Sequence, residues 1–196
     1  MLFHVYLHTK REGLRTIVHG DDYCTAGTSK SLDWFQKALE AKYQIKTQRI
    51  GQGPGKVLEG QVLNRVVRMT SRGYELEADL RHAELVVEQL GLKASKGVST
   101  PGRREDKPEG EQEGHESEKE LTNNEATLFR GIAARCNYLA FDRPDMQYAA
   151  KEICREMSKP TNRALDRLER LGRYLKQCPR LVRQFDQQTE QETMEI

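Results

Sequence analysis

The sequence has no long apolar run and few aromatic residues. Of its 196 residues, 36% are hydrophobic, 7% are aromatic and 32% are charged. A membrane-spanning helix needs about 20 consecutive apolar residues, and a secretory leader needs a charged and then apolar start. Neither pattern occurs in the sequence, so we expect a soluble intracellular chain with modest cores and no membrane partner.

Paired cysteines and a phosphate-binding glycine loop are also missing. The four cysteines lie far apart, at Cys24, Cys136, Cys154 and Cys178. Their spacing matches neither a zinc site nor a disulfide framework, so we predict reduced thiols that pack as small apolar residues. The glycine-rich stretch 51–55 lacks the Lys-Ser/Thr that ends a P-loop, and it predicts a plain loop.

The charge is segregated along the chain, although the net charge is only +2. Residues 1–102 carry 15 Lys/Arg against 11 Asp/Glu, and residues 121–183 carry 13 against 7. Residues 103–120 carry 4 against 8, and residues 184–196 carry 0 against 4. The predicted folded parts are therefore basic, which favours a polyanionic partner.

The first half of the chain has the apolar alternation of a sheet with packed helices. Strands are predicted at Leu2–His8, Leu14–Val18, Tyr23–Ala26 and Gln44–Arg49, with a helix at Lys30–Tyr43. A hairpin is predicted from Gln61–Met69 and Tyr74–Ala78, followed by a helix at Leu80–Leu90 that Asp79 caps and Gly91 ends.

The second half predicts a small helical bundle after a linker. Residues 102–120 contain almost no apolar side chain, so they cannot offset the entropy of ordering. Helices are predicted from the capping box at Thr122–Glu125 to Ala140, from Pro144 to Met157 and from Thr161 to Cys178. We therefore predict an α+β chain with segments 1–101, 102–120 and 121–183 and a frayed tail at 184–196.

The most informative stretch is Gly20-Asp21-Asp22, which lies between two predicted strands. Adjacent carboxylates on a tight turn supply the hard oxygen ligands that Mg²⁺ requires for phosphoryl transfer. Gly20 adopts backbone conformations that a side chain disfavours, and it leaves room for a nucleic-acid terminus beside His19. The alternative is an ordinary polar hairpin turn, because Gly and Asp are favoured turn residues.

The last predicted helix has one leucine-rich side and one basic side. The leucines predict a buried face, which leaves the basic side chains in water. These basic residues recur every three or four positions, at Arg163, Arg167, Arg170, Arg173 and Lys176. Such a basic stripe binds phosphates in a salt-dependent way. The alternative is a solvated face that only keeps the bundle soluble.

Taken in order, these motifs resemble the reverse transcriptases of copia-type retrotransposons. Val18-His19-Gly20-Asp21-Asp22 falls at the family's Tyr-x-Asp-Asp box, where His19 and Gly20 are departures carried by a divergent branch. Thr100-Pro101 resembles the Thr-Pro before the family's variable linker. Six further stretches resemble the later blocks of the family: Leu128–Arg130, Asn137–Ala140, Arg143–Met146, Tyr148-Ala149, Ser158–Thr161 and Arg173–Lys176.

The resemblance implies the C-terminal part of an RNA-directed DNA polymerase domain within a Pol polyprotein. Residues 1–50 would be half of the palm, 61–78 a hairpin near the primer terminus, 79–100 the thumb side, and 121–178 thumb and connection helices. Asp21 would be the main catalytic metal ligand and Asp22 its support. Two Mg²⁺ ions would bind there, with Mn²⁺ as the alternative ion.

The same resemblance implies partners and a place in the cell. The parent enzyme would bind an RNA/DNA template–primer and deoxynucleoside triphosphates, through His19, Gly20 and the basic stripe. It would act in a cytoplasmic virus-like particle or in the nucleus.

The family's fingers and first metal-binding Asp lie on earlier strands, and Met1 to Lys10 contains no acidic residue. A ribonuclease H domain is expected after the last block. We therefore expect a fragment that is inactive alone. Although its composition is that of a soluble rather than a membrane protein, we expect the isolated fragment to dissolve poorly, because its sheet would keep an unpaired edge.

Two other hypotheses remain open at this point. The first is a nucleic-acid-binding or interaction module without chemistry, which the basic helices favour. The second is a viral RNA-dependent RNA polymerase, for which Gly-Asp-Asp is typical. The Arg143-Pro144-Asp145 block argues against this second hypothesis.

Overall fold

The computed structural model describes residues 5–9, 13–103 and 119–187. The chain divides into two compact units between Val62 and Leu63. Helices and antiparallel strands are both present, which confirms the predicted α+β class. Within the described residues, none of the helices has the length and apolar character needed to cross a bilayer.

In the described residues, three strands and a helix come first, followed by three more strands, four α-helices and a last strand. The strands are β1 Val5–Thr9, β2 Leu14–His19, β3 Asp22–Ala26, β4 Glu59–Val62, β5 Arg65–Thr70, β6 Gly73–Glu77 and β7 Val182–Asp186. The α-helices are α1 Ser29–Glu40, α2 Leu80–Gln89, α3 Asn123–Ala140, α4 Gln147–Arg155 and α5 Asn162–Gln177. Short 3₁₀ turns occupy Leu92–Ala94 and Pro144–Met146.

The first unit contains an antiparallel sheet in the order β1-β2-β3, followed by α1. Thr28 caps α1 by accepting a hydrogen bond from the backbone N–H of Ser31. The described core of this unit is small: Leu14 is buried, while Trp34 and Tyr43 are about half exposed. Residues 1–4, at the start of the predicted first strand, lie outside the described residues.

The predicted strand at Gln44–Arg49 is wrong. This stretch forms no strand, and the nearest pairing is an isolated bridge between Ile50 and Val57. Arg49 instead binds α1, through Asp33 at 2.6 Å and Gln36 at 2.9 Å. Ile45 is the one apolar side chain of residues 44–49, so this stretch has little apolar surface to bury against a sheet.

The predicted strand at Gln61–Met69 is two strands, β4 and β5, separated by a turn at Leu63 and Asn64. Both turn residues have positive φ, at 50° and 64°, as a type I′ hairpin loop requires. Asparagine adopts this conformation readily, but leucine does not. Residue preferences therefore do not predict a turn that begins at Leu63.

The second unit holds a helical core and an antiparallel sheet in which β6 lies between β5 and β7. Helices α2, α3, α4 and α5 pack around buried residues that include Val86, Phe129, Ile132, Leu168 and Leu171. The helix starts follow the predicted caps: Asp79 and Thr161 accept from backbone N–H groups, and Thr122 and Glu125 form a capping box. Gly91 follows α2 with φ 67°.

Strand β7 corrects the predicted frayed tail, because residues 184–186 pair with β6. Gly73 makes this pairing feasible. Its φ is 143°, and a Cβ there would lie only 2.1 Å from the carbonyl oxygen of Phe185. The predicted linker lies mostly outside the described residues, as does the chain after 187, and the predicted segment boundaries stay a prediction.

Candidate metal-binding turn and nucleic-acid interface

Asp21 and Asp22 lie at the tip of the β2–β3 hairpin. The last register pair joins His19 to Asp22, so Gly20 and Asp21 form a two-residue loop. Gly20 has φ 61°, and a Cβ there would meet nothing within 4 Å. Glycine is therefore favoured at this position by the backbone conformation rather than by lack of space.

The hairpin below the turn fixes where the two carboxylates lie. Thr16 and Thr25 lie opposite each other, and their hydroxyl oxygens are 3.0 Å apart. A slip of the register by one residue would move every side chain to the other face of the sheet. Asp21 and Asp22 are both exposed and His19 is half-buried, so the carboxylates are open to a ligand from solvent.

The donor set suits a hard cation but does not enclose one. Mg²⁺ is commonly bound through one or two carboxylates together with water and substrate phosphates. Among the described residues, the structure contains no group of three or more His, Cys, Asp or Glu side chains that could hold a metal ion. The two carboxylates of the turn are oxygen donors of the type that Mg²⁺ accepts.

The cysteines do not contribute a site. All four are free thiols, and burial raises the pKa of Cys24 and Cys154 above the ordinary value. Burial also raises the pKa of Cys136 to about 12. The thiols of Cys24, Cys136 and Cys154 therefore stay protonated near neutral pH.

In the C-terminal half of the basic stripe on α5, cationic side chains bind other parts of the chain. Arg170 donates a 2.7 Å hydrogen bond to the hydroxyl of Thr100. Lys176 donates to the carbonyls of Lys93 and Ser95, at 2.7 and 2.5 Å. The side chains of the stripe are half-buried, because residues 93–100 lie against this part of the helix. The prediction of a fully solvated stripe is therefore wrong here.

The N-terminal end of the stripe faces a cavity. Arg163 and Arg167 line a space of about 330 Å³ together with Thr161 and Glu156. Arg167 forms an ion pair with Glu156 at 3.4 Å. Two guanidinium groups therefore lie in this cavity beside the first turn of α5.

A buried polar network holds the end of α5, and sequence reasoning missed it. Arg143 is 1% exposed. Its guanidinium donates to both carboxylate oxygens of Asp145 and to the carbonyls of Cys178 and Pro179. Tyr174 donates a 2.7 Å hydrogen bond to the same carboxylate. The one signal in the sequence was an Arg-Pro-Asp block inside an apolar helical stretch.

The network also shifts the pKa values of its members. Burial lowers the pKa of Arg143, but Asp145 raises it by more, so the net shift is upward. Burial raises the pKa of Asp145, but hydrogen bonds from Arg143 and Tyr174 lower it by more. Burial and the hydrogen bond to Asp145 raise the pKa of Tyr174 to about 12. The Arg–Asp pair is therefore charged at neutral pH.

Comparison with known proteins gives similarity over about a quarter of the chain. The chain is 43% identical over 53 residues to the retrovirus-related Pol polyprotein from transposon RE1 of Arabidopsis thaliana. It is 42% identical over 53 residues to the corresponding polyprotein from transposon RE2. Over this stretch the chain is similar to retrotransposon Pol polyproteins. The predicted resemblance to such Pol polyproteins is thereby confirmed.

The Pol relatives are far longer than this chain. The match covers 27% of the chain and 4% of each of the two Pol polyproteins. An uncharacterized mitochondrial protein of the same plant is 42% identical over 48 residues, which is 24% of this chain and 20% of that protein. No protein-family profile matches the chain, and no solved structure matches it.

Proposed function

We propose that this chain is the C-terminal part of the polymerase domain of a retrotransposon reverse transcriptase. In the parent enzyme, Asp21 and Asp22 are catalytic metal ligands for nucleotidyl transfer. The observation that carries this proposal is the pair of exposed carboxylates at the tip of the β2–β3 hairpin. The relation to Pol polyproteins supports it.

The residues of the chain have distinct parts in this function. Bound Mg²⁺ ions would stabilise negative charge on the attacking and leaving oxygens. Asp21 and Asp22 hold the ions, and the β2–β3 ladder keeps both carboxylates at one tip. Gly20 leaves open space beside them, so that a nucleic-acid terminus can approach past His19.

The remaining elements follow the same assignment. We assign residues 1–50 to the palm and the hairpin of β5 and β6 to the segment that follows it. Helices α2 to α5 belong to the thumb and connection. The parent enzyme takes a template–primer and deoxynucleoside triphosphates as partners.

The test is primer extension by this chain joined in frame to its upstream polymerase sequence. We expect Mg²⁺-dependent extension that Asp21→Asn lowers by about 30-fold or more, which is about 2 kcal/mol of transition-state stabilisation. Asp33→Asn is the matched control, because Asp33 is an exposed carboxylate of the same unit that binds Arg49. Full activity in Asp21→Asn would remove the proposed role of this residue.

A second candidate function is nucleic-acid binding without chemistry, which the cavity at Arg163 and Arg167 favours. Phosphate contacts release counterions, so the affinity of the chain for a duplex should fall steeply with salt. We expect the Arg163→Ala, Arg167→Ala double variant to reduce the log–log salt slope by about 2.

Arg155→Ala is the control for this measurement, because Arg155 is an exposed cation on α4 that pairs with Glu152 at 3.3 Å. Its slope should match that of the wild type within about 0.5. A flat salt dependence in the wild-type chain would exclude phosphate binding by this cavity.

A further inference from the structure

One face of the sheet formed by β5, β6 and β7 carries two adjacent exposed rings. Tyr74 on β6 lies directly opposite Phe185 on β7, and Met69 on β5 lies opposite Tyr74. Tyr74 is 43% exposed and Phe185 is 51% exposed. Neighbouring strands lie about 4.8 Å apart, so the three side chains form a continuous row across the sheet.

A second row lies beside the first on the same face. Side chains two residues apart on a strand share a face, which places Val67, Leu76 and Arg183 in this row. The guanidinium carbon of Arg183 lies 5.9 Å from the centre of the Phe185 ring. We call the six residues of the two rows the aromatic face.

The carboxylates of these strands lie on one face, but cations lie on both. Strand alternation places Arg65 and Arg183 on the side of the aromatic face. Arg68 lies on the other side, where it pairs with Glu77. The three carboxylates of β6 and β7 also lie on that other side, at Glu75, Glu77 and Asp186. Asp142 binds Arg65 at 2.7 Å and Arg183 at 3.6 Å, which holds both guanidinium groups at this side.

We propose that the aromatic face binds single-stranded nucleic acid, with two bases stacked on Tyr74 and Phe185. Exposed aromatic rings on adjacent strands are how sheet-based binders stack unpaired bases. Arg183 beside the Phe185 ring adds a cation near the backbone phosphates. An acidic peptide would use the cations but would leave the paired rings without a planar partner.

This inference rests on the proposed nucleic-acid function but concerns a different surface from the Asp21–Asp22 turn. The two proposals can therefore fail separately.

The experiment measures fluorescence anisotropy of the full chain with a labelled oligothymidylate of about 12 nucleotides. An abasic strand of equal length keeps the phosphates and removes the bases. We expect the wild type to bind the abasic strand about tenfold or more weakly. We also expect Tyr74→Ala and Phe185→Ala each to lose about tenfold in affinity for the oligothymidylate.

Phe141→Ala is the matched control, because Phe141 is an exposed phenylalanine, at 69%, that follows α3 outside the sheet. Its affinity should stay within about twofold of the wild type, and Phe185→Tyr should restore the binding that Phe185→Ala loses. The abasic comparison uses wild-type protein only, so it decides the question even where a variant folds poorly.

Three results would overturn the proposal. One is equal affinity of the wild type for the abasic and base-bearing strands. Another is an affinity loss in Phe141→Ala as large as that in Phe185→Ala. The third is sedimentation showing a dimer that Phe185→Ala dissociates, without affinity for the oligothymidylate, which would assign the face to a second copy of the chain.

Discussion

Replacing Arg143 by methionine should lower the free energy of unfolding by about 3–5 kcal/mol. The side chain is 1% exposed, and methionine fills much of the same space without the charge. The free energy of unfolding falls because the polar partners of Arg143 are left unpaired. The Asp145 carboxylate loses its cation, and the carbonyls of Cys178 and Pro179 lose their donor. Leaving buried polar groups unpaired costs more than the paired network contributes.

The measurement is urea unfolding monitored by circular dichroism, with the midpoint and slope fitted together. Arg155→Met is the matched control, since the Arg155 side chain is 68% exposed in its ion pair with Glu152. Its cost should be at most about 1 kcal/mol. Equal costs for the two variants would show that the Arg143 network contributes no more than a surface ion pair.

Tyr174→Phe separates the parts of this network. It removes one 2.7 Å hydrogen bond to Asp145 and keeps the aromatic ring in the core. We expect a loss of about 1–2 kcal/mol. If Tyr174→Phe lowers the free energy of unfolding less in the Arg143→Met variant than in the wild type, the two donors act on the same carboxylate.

Features decided by near neighbours in the sequence were predictable. The starts of α2, α3 and α5 followed from cap residues that bind the backbone two or three positions later. The β2–β3 turn followed from a glycine between two β-prone runs. These signals act within one turn of chain, so no knowledge of the rest of the fold was needed.

Features that depend on distant partners were not predictable. Strand β7 pairs with β6, which lies more than a hundred residues earlier. The periodicity of α5 correctly placed its leucines in the core, but it could not show that residues 93–100 bind Arg170 and Lys176. For the candidate site, the sequence predicted two carboxylates on one tip, and their role in catalysis stays a prediction.

The stability of the β6–β7 region should depend on pH through Glu77. This residue is 5% exposed. The hydrogen bond from Arg180 is the main cause that lowers the pKa of Glu77 to about 2, burial opposes it, and Arg68 adds to it. A carboxyl whose pKa is lower in the folded than in the unfolded state stabilises the fold above the unfolded value of 4.5. That contribution is lost as the pH falls towards 2.

We therefore expect Glu77→Gln to lower the free energy of unfolding by about 2–3 kcal/mol at pH 6. Near pH 2 most of the difference from the wild type should be lost, because Glu77 is then about half protonated in the folded state and almost fully protonated in the unfolded state. The comparison isolates this residue from Asp145, whose pKa is also below its ordinary value. Urea unfolding at several pH values, with Glu84→Gln as an exposed control on α2, measures the difference. A difference that stays constant from pH 6 to pH 2 would show that Glu77 acts through its shape rather than its charge.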